Sequence, residues 1–176
     1  MQIIIDENLL RTKCEPVKNA SEGFIVAKKL RWALDSVNKK HLNKYRKSFG
    51  KEQPLTKGLG LSAPQIGIYK QVCIISVGGV PIVLINPKIV ECSEGMFTFE
   101  EGCLSMPETK VQTMRHDWIK VQALNHTTIQ TYGNVSNDWS QHKLLQTVVA
   151  QHEIAHLYGL LMIDFVNKGP KATEWK

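Results

Sequence analysis

Phe24, Ala27, Leu30, Leu34 and Val37 recur at three- and four-residue spacing, with Lys28, Lys29 and Arg31 between them. That spacing puts the apolar side chains on one face of a helix, and Asn19 or Ser21 is available to cap its start. Over residues 39–57 the pattern dissolves into His, Asn, Lys, Ser, Gly and a Pro, which describes either a frayed extension of the helix or a long surface loop. Beyond Gly67 the texture changes. Residues 71–77 and 80–86 are two largely apolar runs around Gly78-Gly79, with Pro87 closing the second, and they predict a hairpin. Residues 96–99, 118–124 and 128–132 are further extended candidates, the second alternating Trp118, Lys120, Gln122 and Leu124 against Ile119, Val121 and Ala123.

Helical periodicity returns over residues 141–158, where Leu144, Leu145, Val148, Val149, His152, Ala155 and His156 form one broad stripe. Ser140 or Asn137 can cap this helix, and Gly159 can end it. Helices flanking antiparallel strands predict an α+β fold, with no internal repeat and no low-complexity segment. The expected organisation is a single catalytic domain over residues 1–166 and a short tail over 167–176, where Gly169-Pro170 forbids a long helix.

Composition narrows the class. The chain has 176 residues, 43% apolar and 22% charged, which suits one globular domain able to enclose a site. The apolar runs at 80–85 and 144–150 are too short to cross a bilayer, and Asp6 and Glu7 interrupt the apolar residues 3–5. A cytoplasmic protein without membrane contact is the expectation. The cysteines at 14, 73, 92 and 103 show no CxxC spacing, so a special cysteine should be a ligand or nucleophile rather than half of a disulfide. Of the 22 lysines and arginines, 13 fall within residues 11–57 against four acidic residues, a basic surface that would speed encounter with polyanions such as ribosomal RNA. No motif for specific DNA recognition accompanies it.

Residues 151–156, QHEIAH, contain HExxH on a segment that independently reads as helix. His152 and His156 lie four apart on one face and can reach one ion, while Glu153 stands beside them, placed to take a proton from a water made acidic by the ion. A pair of half-buried helix histidines is the plain alternative, and a third ligand decides between them. Position 162, where one protease pattern needs histidine, is Met; Glu174 sits in the polar tail. Cys103 is the better candidate, because residues 100–105, EEGCLS, follow a strand-like segment and Gly102 permits a close backbone approach. A third element, residues 58–65, GLGLSAPQ, combines small residues with the amide of Gln65, but has no phosphate-cradle spacing.

Taken in order, GLGLSAPQ, EGCLS at 101–105 and QHEIAHLYG at 151–159 resemble the peptide deformylases. The resemblance implies removal of the N-formyl group from nascent chains beginning with formyl-methionine, with formate as product. It implies Cys103, His152 and His156 as ligands of one divalent ion, with Fe²⁺ as the cellular metal and Ni²⁺, Co²⁺ or Zn²⁺ as substitutes. Glu153 would move the proton, and Gln65 and the backbone amide of Leu104 would stabilise the oxyanion. Gly58, Leu59, Gly60 and Gly102 would hold the peptide; Leu59, Phe99, Leu145, Val148 and Val149 match the positions of the methionine pocket. Glu101 and Arg115 resemble a supporting ion pair that braces the Cys103 loop.

Three departures stand out. Ala155 replaces the usual Asp, removing a carboxylate near the ligands, so either activity weakens or another group substitutes. Ser62 replaces the usual Ala and is expected to be a tolerated small residue. Short versions of this kind, without the C-terminal helix that contacts the ribosome in many bacterial members, resemble phage-encoded deformylases. Ribosome association would then use the basic segment 11–57. The expected partners are formyl-methionyl peptides, and the expected state is a monomer. A degraded homologue that only binds blocked peptides and a metallopeptidase cutting internal bonds are the rivals; intact Glu153 and Gln65 oppose the first, the three ordered motifs the second.

Overall fold

The computed structural model describes residues 2–47, 58–78, 80–136 and 140–170. Asp6 opens a four-residue helix, α1 (Glu7–Leu10), by accepting hydrogen bonds from the backbone of Asn8 at 2.9 Å and Leu9 at 3.3 Å. The long helix α2 (Ala20–Lys47) follows; Asn19 supplies its cap, with its side-chain oxygen accepting from Glu22 N–H at 2.9 Å. The ambiguous stretch after residue 39 is therefore helical up to Lys47, and residues 48–57 lie outside the described residues.

Val26, Ala27, Leu30, Ala33 and Leu34 form the buried stripe of α2. Phe24, expected inward, is 51% exposed, and Val37 is only half-buried. The cause is Gly23: it takes the inward position, and a Cβ there would sit 2.5 Å from the Ile85 side chain. One residue on, the helix has turned by about 100°, which carries Phe24 to the outside.

Strands β1 (Gly60–Ser62), β2 (Val72–Ile75) and β3 (Ile82–Ile85) form an antiparallel sheet in that order. The pairing of Ile75 with Ile82 centres the predicted hairpin on Gly78-Gly79, and Gly78 has φ 83°. The strands are shorter than the sequence suggests, and beyond Ile75 the chain continues only the β1–β2 ladder, with Ser76 N–H donating to Leu59 C=O at 2.6 Å. Both faces of the sheet are covered: Val72, Ile74 and Ile85 pack with the α2 stripe, whereas Cys73, Ile75 and Leu84 join the cluster around the last helix. Continuous apolar runs without alternation follow from that double burial.

The second sheet has the order β4 (Lys88–Cys92), β7 (Trp118–Gln122), β8 (Gln130–Gly133), all antiparallel. Ile119, Val121 and Tyr132 point to the core, as the alternation in the sequence predicts. Between β4 and β7 runs a two-stranded ribbon, β5 (Met96–Cys103) and β6 (Met106–His116). The sequence suggests only the start of β5 and nothing of β6, the longest strand described.

Helix α3 (Gln141–Leu157) starts at Ser140, whose hydroxyl accepts from Lys143 N–H at 3.2 Å, and is followed by Gly159 at φ 73°. Every residue of α3 from Thr147 onward is buried. The architecture is thus α+β, antiparallel sheets packed around the helix that bears HExxH. No helix among the described residues is long and apolar enough to cross a membrane.

Candidate active site

Helix α3 brings His152 and His156 to one face with ring centroids 5.0 Å apart. Cys103 arrives from the end of β5. There the β5–β6 register slips, from Gly102 opposite Lys110 to Cys103 opposite Met106, so the strand bends as it delivers the thiol. The sulfur of Cys103 and one ring nitrogen each of His152 and His156 lie within 4.8 Å of one another, with all three residues buried. Among the described residues, no other group of three histidine, cysteine or acidic side chains gathers in this way.

Electrostatics prepares these groups for a cation. Burial alone would raise the Cys103 thiol, but the two imidazoles beside it, His156 foremost, hold it well below the usual thiol range. Cys103 Sγ is 3.4 Å from His156 Nε2. Glu101 Oε2 accepts from His152 Nδ1 at 2.7 Å, so His152 presents its other nitrogen to the sulfur. Nδ1 of His156 is buried without a hydrogen-bond partner among the described residues. A cysteine sulfur and two imidazole nitrogens brought together in this way are a donor set that fits one divalent ion. The other three cysteines are free thiols away from this group; burial pushes Cys14 up to about 12 and also raises Cys73.

Glu101 is itself held. Arg115 donates to both its oxygens, from Nε at 2.5 Å and Nη2 at 3.0 Å, and Thr113 donates its hydroxyl to Oε1. Burial works to raise the Glu101 carboxyl, but Arg115 and His152 outweigh it and keep the group well below the ordinary carboxylate range. The guanidinium is fully buried and stacks 4.5 Å from the Phe165 ring. Thr113 escaped the sequence reading; its signal was the two-residue spacing to Arg115, which puts both on one face of a strand.

Glu153 lies on the cavity wall beside His152. Burial raises its carboxyl, opposed by the two histidines and by Ser62. Ser62 is no inert filler: its hydroxyl lies 2.6 Å from Glu153 Oε2 and 2.7 Å from Glu153 C=O. Its N–H donates to Gln65 Oε1 at 2.8 Å, which turns Gln65 Nε2 towards Cys103 Sγ at 3.5 Å and Ser105 Oγ at 3.2 Å. Ala155 is 1% exposed in the apolar cluster with Ile154 and Leu157, and the carboxylate that touches a ligand is Glu101, at His152 Nδ1.

The groups open onto a cavity of about 550 Å³. Gly58, Leu59 and Gly60 line it from the segment entering β1, Phe99 and Gly102 from β5, and Leu145, Val148 and Val149 from α3. Gln65, Leu104, Cys103 and His152 also reach its wall, while His156 lies behind. Ile3, Val37, Lys40, Pro107 and Lys110 add a rim that motif reading does not find, because they are brought in from α1's leader, α2 and β6 by tertiary packing alone.

A buried cysteine and two HExxH histidines beside a glutamate, on a helix wrapped by antiparallel sheets, define a metal-binding hydrolase. A model of the family "Polypeptide deformylase" matches residues 2–172, and the chain belongs to that family, the enzymes that remove the N-formyl group from nascent peptides. The peptide deformylase of Desulfitobacterium hafniense is 34% identical over 168 residues, covering 93% of this chain and 92% of that one. The match to the peptide deformylase of Thermotoga neapolitana is 39% identical but spans only 61% of each chain. Among solved structures, the peptide deformylase of Thermotoga maritima superposes with TM-score 0.63 at 27% identity, covering 94% of this chain and 96% of that one. A probable peptide deformylase from Synechococcus phage S-SSM7 superposes with TM-score 0.69 at 28% identity, covering 94% and 98%.

Proposed function

We propose that this chain hydrolyses the formyl group of formyl-methionyl peptides with Cys103, His152 and His156 as ion ligands and Glu153 as the group that moves the proton. The observation that carries the reading is that Glu153, Cys103 and His152 line one cavity together with the apolar side chains of Leu145, Val148 and Val149, and that His156 completes the ligand triplet. When bound, the ion supplies Lewis acidity at the formyl oxygen and lowers the pKa of water. Fe²⁺ is the proposed cellular metal, and the same donors suit Ni²⁺, Co²⁺ or Zn²⁺.

The Glu153 carboxylate takes a proton from the attacking water and returns it to the departing nitrogen, leaving formate and a free amine. Gln65 Nε2, locked towards the site by Ser62 N–H, and the Leu104 N–H are the proposed donors to the oxygen that gains charge. Leu59, Phe99, Leu145, Val148 and Val149 enclose the methionine side chain and exclude water. Gly58, Gly60 and Gly102 present main-chain groups to the peptide, and Glu101 with Arg115 keeps His152 oriented.

Formate release from formyl-Met-Ala-Ser by the Fe²⁺- or Ni²⁺-loaded protein tests the reading, with an internally blocked peptide as control. Glu153→Gln should lower kcat by about 10²- to 10⁴-fold while metal content is retained. Absence of formate from the loaded wild type overturns it.

The remaining parts of the reading concern setting. Residues 1–166 act as one catalytic domain with 167–176 as a tail, in a cytoplasmic monomer. Ribosome association uses the basic segment 11–57: Lys28, Lys29, Arg31, Lys39 and Lys40 lie exposed on α2. Salt-sensitive cosedimentation with ribosomes tests that contact.

A further inference from the structure

Ser62 is fully buried at the end of β1, where the chain turns into the short 3-10 helix Ala63–Ile66 that carries Gln65. It does not line the cavity, but its hydroxyl lies against Glu153, which does. Its Oγ is 2.6 Å from Glu153 Oε2 and 2.7 Å from the Glu153 carbonyl oxygen, and its single proton serves one of these two acceptors at a time. A carboxylate on a helix ordinarily turns about three side-chain torsions. Here Oε2 lies against the Ser62 hydroxyl, which leaves Oε1 as the oxygen without that partner.

The neighbouring strand residue closes the other side. A Cβ built on Gly60 would lie 2.5 Å from Glu153 Oε1 and 2.6 Å from its Cγ, so the bare backbone of Gly60 lies directly against the carboxylate. Gly60 and Ser62 are two apart on β1 and therefore share a face. Between them Oε2 meets the Ser62 hydroxyl while Oε1 and Cγ pack against bare backbone, which leaves the carboxylate little room to turn. The main-chain N–H of Ser62 simultaneously holds Gln65 Oε1 at 2.8 Å, a contact that any residue but proline could supply. Only the hydroxyl is particular to serine, and among the described residues both of its partner atoms belong to Glu153.

We propose that Ser62 is a positioning residue of the reaction: its hydroxyl fixes the Glu153 carboxylate in the orientation from which Oε1 exchanges a proton with water and the leaving nitrogen. This rests on Glu153 acting as the proton-moving group. The consequence is a separation of effects. Loss of the hydroxyl frees the carboxylate but touches neither the methionine pocket, the ligand triplet nor the Gln65 amide. It should therefore lower kcat and leave KM and metal content alone.

The test compares wild type, Ser62→Ala and Ser62→Thr on formyl-Met-Ala-Ser with Ni²⁺-loaded protein, alongside thermal unfolding of the metal-free proteins in a cycle with Glu153→Ala. Ser62→Ala is expected to lose about tenfold in kcat, the value of one hydrogen bond to a charged group, with KM and bound metal within about twofold. Ser62→Thr, which keeps the hydroxyl, should recover most of that loss. In the metal-free cycle Ser62→Ala should cost more stability in the presence of Glu153 than in its absence. Wild-type kcat in Ser62→Ala overturns the proposal, as does a loss that appears equally in metal content. Additive unfolding in the cycle also overturns it, and that readout stands even if Ser62→Thr does not fold. A wild type that releases no formate would sink the assigned reaction instead, while the cycle would still report whether Ser62 and Glu153 are coupled.

Discussion

Glu101 Oε2 accepts a hydrogen bond from His152 Nδ1 at 2.7 Å while its other oxygen faces Arg115 Nε at 2.5 Å. One carboxylate thus orients a candidate ligand and neutralises a buried guanidinium. Replacing Glu101 by Gln removes the charge but preserves the shape. Divalent metal affinity is expected to fall by about 10- to 100-fold, measured by competition with a chromogenic chelator.

Arg115 is fully buried, and its removal strands the Glu101 charge. Arg115→Met should cost roughly 3–5 kcal/mol in urea denaturation, because an unpaired charge is left inside. The double variant Glu101→Gln/Arg115→Met should recover part of that loss, since neither charge then remains. A double variant less stable than the additive value contradicts the pairing.

Gly60→Ala puts a methyl group 2.5 Å from Glu153 Oε1, too close for both to stay in place. The carboxylate must move, and the expected result is a fall in kcat of at least about tenfold with a stability loss of about 1–3 kcal/mol. Circular dichroism and metal analysis establish that fold and ion are kept.

Arg11 grips Asp164 with two hydrogen bonds of 2.9 and 3.0 Å. Burial acts to raise the Asp164 carboxyl, but Arg11 and the Leu161 N–H lower it below the ordinary aspartate value. A depressed carboxyl contributes stability above its unfolded value, about 3.9, and loses it as pH falls through the lower folded value. Asp164→Asn should therefore be less stable than wild type by about 1 kcal/mol at neutral pH, a figure discounted for solvent screening. The gap should persist down to about pH 5 and close in stronger acid. Thermal midpoints of both proteins across that range provide the check.

Much of this was legible in the residues. HExxH lies on a helix because periodicity and motif coincide at His152 and His156, and the Gly78-Gly79 dipeptide centres its hairpin where the ladder says it should. β6 was not legible, because its exposed and buried positions mix Thr, Lys, Gln and Arg, and its inward side chains, Thr113 and Arg115, are polar partners of Glu101 rather than apolar core. Phe24 misled for a related reason: an aromatic at helical spacing looks like core, yet Gly23 holds the inward place. Ser62 looked like a tolerated substitution because a contact between residues 62 and 153 leaves no trace in local pattern.

The opening segment of the chain is moored to its closing quarter: Cys14 N–H donates to Leu157 C=O, Arg11 reaches Asp164 across 153 positions, and a side chain at Gly159 would strike the Arg11 backbone. During synthesis the first residues can pair early with residues 65–86, but the contacts of Arg11 and Cys14 with the closing quarter wait until α3 has left the ribosome. Cys103 waits for the same helix. An enzyme of this family works on freshly made chains, and the ligand triplet of this one comes together only after His156 has itself been made.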